Sequence, residues 1–188
     1  MELEAASSAV LFPTLVIGIG NPSRGDDALG PLALERLAAM RLPRVELLTD
    51  FQLQVEHALD LAGRTEVIFV DASVAAQAPY EFASVLAAAD TSATTHALSP
   101  AAVLDTCRRV VGPPPAAHVL AIRGYAFELG EPLSADARRN LDAAVAMLAA
   151  RLRAEARCPS LDGGRAGTIM APTPWASRIR RRTRISCP

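Results

Sequence analysis

Three short stretches hold the side chains that could do chemistry. The first is Gly18-Ile19-Gly20-Asn21-Pro22-Ser23-Arg24-Gly25-Asp26-Asp27. The second is Asp71, which follows the apolar run Val67-Ile68-Phe69-Val70, and the third is Thr94-Thr95-His96. Asp27, Asp71 and His96 together offer two carboxylates and one imidazole, a donor set suited to nickel, zinc, cobalt or manganese. Three protein ligands leave positions open for water or a substrate group, as catalytic sites do and structural sites do not. Each residue also has an ordinary explanation. Asp26 or Asp27 can cap the helix that follows, Asp71 can close a turn at a strand end, and a loop histidine can simply be solvated. A site is argued by convergence: all three follow or precede elements that end at one edge of the expected sheet.

Other chemistries fit less well. Gly18-x-Gly20-x-x-Ser23 approaches a dinucleotide fingerprint, and Asp50 stands where a ribose-binding acid belongs. The third glycine is missing, however, and Asp26 and Asp27 put two negative charges where a helix N-terminus would otherwise attract a pyrophosphate. No G-x-S-x-G nucleophile elbow occurs. Ser73 and Ser99 flank the candidate site, but Ser99 precedes Pro100 and is needed as a helix cap. Cys107 falls inside an amphipathic stretch and reads as core. His57 lies beside an apolar stripe and reads as a surface residue, and His118 opens a strand and reads as structural.

The elements that must position these residues alternate in type. Leu15–Gly20, Val45–Leu48, Val67–Val70 and Val119–Ile122 read as strands, with Tyr80–Leu86 as a weaker fifth. The link from Asp71 to Tyr80 is too short for a helical crossover, so that fifth strand is expected to run antiparallel. Helices are expected from about Ala28 to Met40, through Phe51, Val55, Ala58, Leu59 and Ala62, from Ser99-Pro100 to about Val111, and from Ser134 onward. The last carries the stripe Ala137, Leu141, Ala144, Val145, Leu148 and Leu152. The expected fold is therefore α/β and three-layered, a twisted, mostly parallel sheet of about five strands with helices on both faces. In such sheets ligands bind outside the carboxyl ends of the strands. If the first and third strands are neighbours, Asp27 and Asp71 share one crevice.

The chain's 188 residues suit one domain, at roughly 100–200 residues per domain. Hydrophobic residues make up 51% and charged residues 21%, which fits a globular protein. All 19 basic residues are arginine, and they are unevenly spread. Residues 1–150 hold 10 of them against 18 acids, whereas residues 151–188 hold 9 against 2. The main body is thus acidic and excludes a general nucleic-acid binder. Aromatic content of 4% argues the same way, against rows of base-stacking side chains. Residues 1–153 are expected to form the α/β domain, and residues 154–188, rich in Arg, Pro and Gly, a tail without regular structure. No apolar run is long enough for membrane insertion. Cys107, Cys158 and Cys187 are far apart and match no disulfide framework, and Met1-Glu2-Leu3-Glu4 does not resemble a secretory signal, so a cytoplasmic location is expected.

The ordered set Gly18-Ile19-Gly20-Asn21, Asp26-Asp27, Val70-Asp71-Ala72 and Thr94-Thr95-His96-Ala97-Leu98 resembles the hydrogenase maturation proteases. These endopeptidases trim the large subunit of nickel–iron hydrogenases, and the resemblance spans about residues 14–152. It implies that Asp27, Asp71 and His96 are the metal ligands and the catalytic residues. It implies as substrate a large-subunit precursor already loaded with nickel, from which a short C-terminal peptide is removed. Nickel then arrives with the substrate, and another divalent metal can occupy the site of the isolated protein. Two positions depart from the pattern: Ala28 stands where many members have glycine, and Asp27 where some have the longer glutamate. A non-catalytic assembly chaperone that senses the precursor's metal would use the same three ligands. A dinucleotide-binding domain is the remaining alternative.

Overall fold

The computed structural model describes residues 11–89, 98–157 and the backbone of 184–185. The strands are β1 (Thr14–Ile19), β2 (Val45–Asp50), β3 (Glu66–Ser73), β4 (Tyr80–Ser84), β5 (Ala116–Arg123) and the two-residue β6 (Arg184–Ile185). The helices are α1 (Leu29–Ala39), α2 (His57–Asp60), α3 (Pro100–Val110) and α4 (Ala135–Arg157), with a 3-10 turn, Gly25–Ala28, leading into α1. The sheet order is β4-β5-β3-β1-β2-β6. Pairings among β1, β2, β3 and β5 are parallel, while β4 runs antiparallel to β5 as its short connection requires. β6 adds a second antiparallel pair against Leu47 and Leu48, so the expected five strands gain a short sixth. Among the described residues, no helix is long and apolar enough to cross a membrane.

Period-two alternation sorts the strand side chains into two cores. Val16, Leu47, Ile68, Val70, Leu120 and Ile122 pack with Leu34 and Leu37 of α1 and Leu141 and Leu148 of α4. Leu15, Ile17, Leu48, Val67 and Phe69 face the other way, onto Ala58 of α2 and Val103, Leu104 and Cys107 of α3. Residues 15–19 of β1 and 67–70 of β3 are buried on both faces and are accordingly apolar. Ser99 caps α3 by accepting the Ala102 N–H, with Pro100 at the first helical position. Ser134 caps α4 by accepting the Ala137 N–H. α4 continues to Arg157, four residues beyond the expected domain end. Within the expected tail, Arg184–Ile185 forms β6 where no regular structure is expected, and the remaining residues beyond Arg157, with Cys158 and Cys187, lie outside the described residues.

One expected helix is mostly absent. Of the stretch 51–62 only His57–Asp60 is α-helical, and Phe51 and Val55, expected on its buried face, are 67% and 54% exposed. The Asp50 carbonyl, which a first helical turn would use, accepts the Gly20 N–H at 3.1 Å instead, and side chains bond the donors of the loop. Asp50 Oδ1 takes the Phe51 N–H at 2.7 Å, and His57 Nδ1 takes the Gln54 N–H at 2.9 Å. His57 is consequently 0% exposed and not a surface residue. Its apolar stripe misled because the ring turns inward to serve the loop.

Candidate active site

β1 and β3 are neighbours, in register through Gly18 and Val70. β2 lies on the other side of β1, so successive connections diverge and open a crevice at the carboxyl ends of β1 and β3. The glycine turn fills its floor. Gly20 has a φ of +135°, and a Cβ there would meet the Asp27 carbonyl oxygen at 1.9 Å. Only glycine lets the turn lie under the acid pair.

Asp26 and Asp27 do different jobs. Asp26 is 0% exposed. Its carboxylate accepts the N–H groups of Tyr125 at 2.7 Å, Ala126 at 3.0 Å and Ser134 at 2.8 Å, and the Ser134 hydroxyl at 2.8 Å. Burial alone would push this carboxyl up, but the donors outweigh it and hold it below its ordinary value. Asp26 therefore ties the turn after β1 to the loop before α4, a role that no local spacing announces, since Ser134 lies 108 residues away. Neither acid side chain caps the helix that follows, because the residue preceding the 3-10 turn is Arg24 and no side chain caps there.

Asp27 belongs to the crevice. Its Oδ2 accepts the Asn21 N–H at 2.9 Å, which fixes the carboxylate over the glycine turn. Asp71, two residues before the end of β3, accepts the N–H of Ala72 at 2.7 Å. Its carboxyl is pushed up to about 6: burial raises it, the Ala72 N–H opposes this, and the charge of Asp27 raises it further. The two carboxylates are thus close enough to feel each other's charge. Like charges gathered in a partly desolvated crevice favour a bound cation, which fits the donor set proposed for a metal. His96 lies outside the described residues, and among the described residues no three His, Cys, Asp or Glu side chains gather into a metal-binding group. α3, which begins three residues after Ala97, packs on the face of β3 that carries Val67 and Phe69, the same parity as Asp71.

The remaining candidates are accounted for. Cys107 is buried among the apolar residues under α3, and burial pushes its thiol up, away from the reactive thiolate. Ser73 Oγ accepts the N–H groups of Ala75 and Ala76, and Ser99 is the α3 cap. His118 stacks on Phe82 and approaches Glu66 at 3.0 Å. The dinucleotide alternative loses its anion cradle. The Asn21 amide is taken by Asp27, and Asp50 is engaged by Phe51 N–H and lies 3.5 Å from His57 Nε2.

No family model and no curated protein matches the chain. Solved structures do. A NiFe hydrogenase maturation protease, HycI from Thermococcus kodakarensis KOD1, superposes with a TM-score of 0.60 at 24% identity, over 76% of this chain and 93% of that one. The hydrogenase maturating endopeptidase HybD from E. coli gives a TM-score of 0.58 at 24% identity, with the same coverage of 76% and 93%. The hydrogenase 2 maturation peptidase from Thaumarchaeota archaeon SCGC_AB-539-E09 gives 0.55 at 20% identity, over 74% and 97%. The fold is that of the hydrogenase maturation proteases. Within the maturation-protease fold, Asp27 and Asp71 occupy the crevice that the strand order creates.

Proposed function

We propose that this protein is an endopeptidase that removes a C-terminal peptide from the nickel-loaded precursor of a nickel–iron hydrogenase large subunit. The observation that carries the reading is the Asp27–Asp71 pair, charge-coupled at the β1–β3 crevice of a maturation-protease fold. Asp27, Asp71 and His96 complete the coordination of a metal that the substrate brings. Three ligands alone make an incomplete site, so recognition is conditional on nickel already inserted in the precursor. Hydrolysis then needs a water stripped of a proton as it attacks the scissile carbonyl, with a proton delivered to the departing amine. A carboxylate of the Asp27–Asp71 pair can take that proton as general base, while a bound cation holds both carboxylates ionised.

The test mixes purified protein with precursor, with and without nickel, and follows release of the C-terminal peptide by mass. Cleavage is expected only of the nickel-loaded form. His96→Ala should abolish processing with the fold intact, and Asp27→Asn should act alike because amides are far poorer cation ligands. Equal cleavage of nickel-free precursor, or full activity of His96→Ala, overturns the proposal. Binding of the loaded precursor without any cleavage would point instead to the chaperone.

A further inference from the structure

A protease acting on a C-terminal segment must hold extended backbone, and among the described residues the sheet offers the whole length of one edge strand for it. At the β2 end, Leu47 and Leu48 pair with Ile185 and Arg184. At the other end of the sheet stands β4, with nothing paired to its outer side among the described residues. The hydrogen-bond parity of β4 is set by its flanks: the Pro79 carbonyl accepts the Arg123 N–H, and the Val85 N–H donates to the Ala117 carbonyl. Odd residues of this strand therefore exchange bonds with β5, and the backbone groups of Tyr80, Phe82 and Ser84 point away from the sheet. The usual defences of an edge are weak here. The strand holds one charged residue, Glu81, and that carboxylate is folded back onto the Gln77 N–H at 2.9 Å.

The edge also leads to the site. Tyr80 pairs with Ile122, and Ile122 pairs with Ala72, the residue after Asp71. The upper end of β4 is thus level with the catalytic crevice, two strands away. A strand added outside β4 would lie three strand spacings from β3, about 14 Å at ~4.8 Å each, a gap that about four to five extended residues span.

We propose that the outer edge of β4 takes up the segment downstream of the scissile bond as an added strand. This rests on the endopeptidase reading above and extends it to how the peptide is held. A chain leaving the crevice and passing Tyr80 toward Ser84 runs parallel to β4. Recognition is by backbone, so the extension's sequence matters little and its length matters: at least about five residues are needed to reach the edge.

Proline separates the cases, because at an outward-facing position it removes the free N–H without breaking the bonds to β5. Ser84→Pro should raise KM for nickel-loaded precursor by up to about 10-fold, the loss of one net hydrogen bond, while Ser84→Ala leaves it unchanged. Precursors with extensions shortened below about five residues should be cut equally by the native and Ser84→Pro chains. Hydrogen exchange on the native chain gives a readout that needs no variant. The amides of Tyr80, Phe82 and Ser84 should become protected when loaded precursor is added. Unchanged exchange at these amides overturns the edge proposal, as does native KM in a folded Ser84→Pro. Protection without any cleavage by the native chain would keep the edge and remove the endopeptidase reading.

Discussion

Asp71 stands in tension with stability, whereas Asp26 adds to it. A carboxyl whose pKa is raised in the fold binds its proton more tightly there than in the unfolded chain, so its contribution to stability is lost as pH climbs from about 4 through about 6. Asp71→Asn should therefore be more stable than the parent above pH 6, by about 1–2 kcal/mol, and equal to it near pH 4. Denaturation followed across that range checks the sign, and the same variant should lose metal affinity if Asp71 is a ligand as proposed. Asp26 acts oppositely. Replacing it with alanine leaves three backbone donors and a hydroxyl without their acceptor in a fully buried place, and should cost about 3 kcal/mol or more. Denaturant unfolding of Asp26→Ala measures it; a loss below about 1 kcal/mol would mean that the loop before α4 is held by other contacts. The acid pair was visible in the sequence as a pair, but which member faces the crevice follows from a partner 108 residues away. For the same reason His57 read as surface: the Gln54 amide it accepts belongs to a loop whose shape no periodicity encodes.

At the scale of elements, the strands and α1, α3 and α4 were legible because burial imposes their periods directly. Val16, Ile68 and Val70 face one helical layer and Ile17, Val67 and Phe69 the other, and Ser99-Pro100 and Ser134 mark helix starts by their own chemistry. The short connection after β3 was enough to fix the sense of β4. The stretch 51–62 failed because its apolar residues have helical spacing, but Asp50 and His57 satisfy its backbone donors locally. What spacing does not reveal is the closeness of α1 to the sheet. A Cβ on Gly30 would meet the Ile19 carbonyl oxygen at 2.2 Å and the Val70 carbonyl oxygen at 2.6 Å, both backbone atoms. Gly30→Ala must push the start of α1 off β1 and β3, at a cost of about 2–3 kcal/mol. Because the 3-10 turn that carries Asp27 leads directly into α1, the carboxylate moves with it. The variant should show a thermal midpoint lowered by roughly 5–10 °C and, at temperatures where it is still folded, weaker binding at the proposed metal site. Metal affinity equal to the parent's in the folded variant would show that the 3-10 turn is positioned independently of α1.

Over the whole molecule, the two ends of the sheet are built for different purposes. The carboxyl end gathers Asp27 and Asp71, whereas the amino end is closed by ion pairs. Arg64 spans from Glu46 at 2.6 Å to the Phe12 carbonyl, and Arg151 reaches Glu66 at 2.5 Å and Glu155 at 2.8 Å. These clamps fasten α4 and the starts of β2 and β3 without residues 158–188. Beyond Arg157 the described contacts amount to β6 alone, two residues against Leu47 and Leu48 at an edge. Removing residues 158–188 takes away six arginines and one acid and leaves 13 arginines against 19 acids. The net charge therefore falls from -1 to -6, and the truncated protein should bind anion exchanger more tightly. Its thermal midpoint should shift by less than about 5 °C, the equivalent of roughly 1–2 kcal/mol for a domain of this size. A calorimetric scan of the full and truncated chains decides it. A larger fall would show that residues 158–188 dock on the α/β body, with the edge of β2 as the place to look.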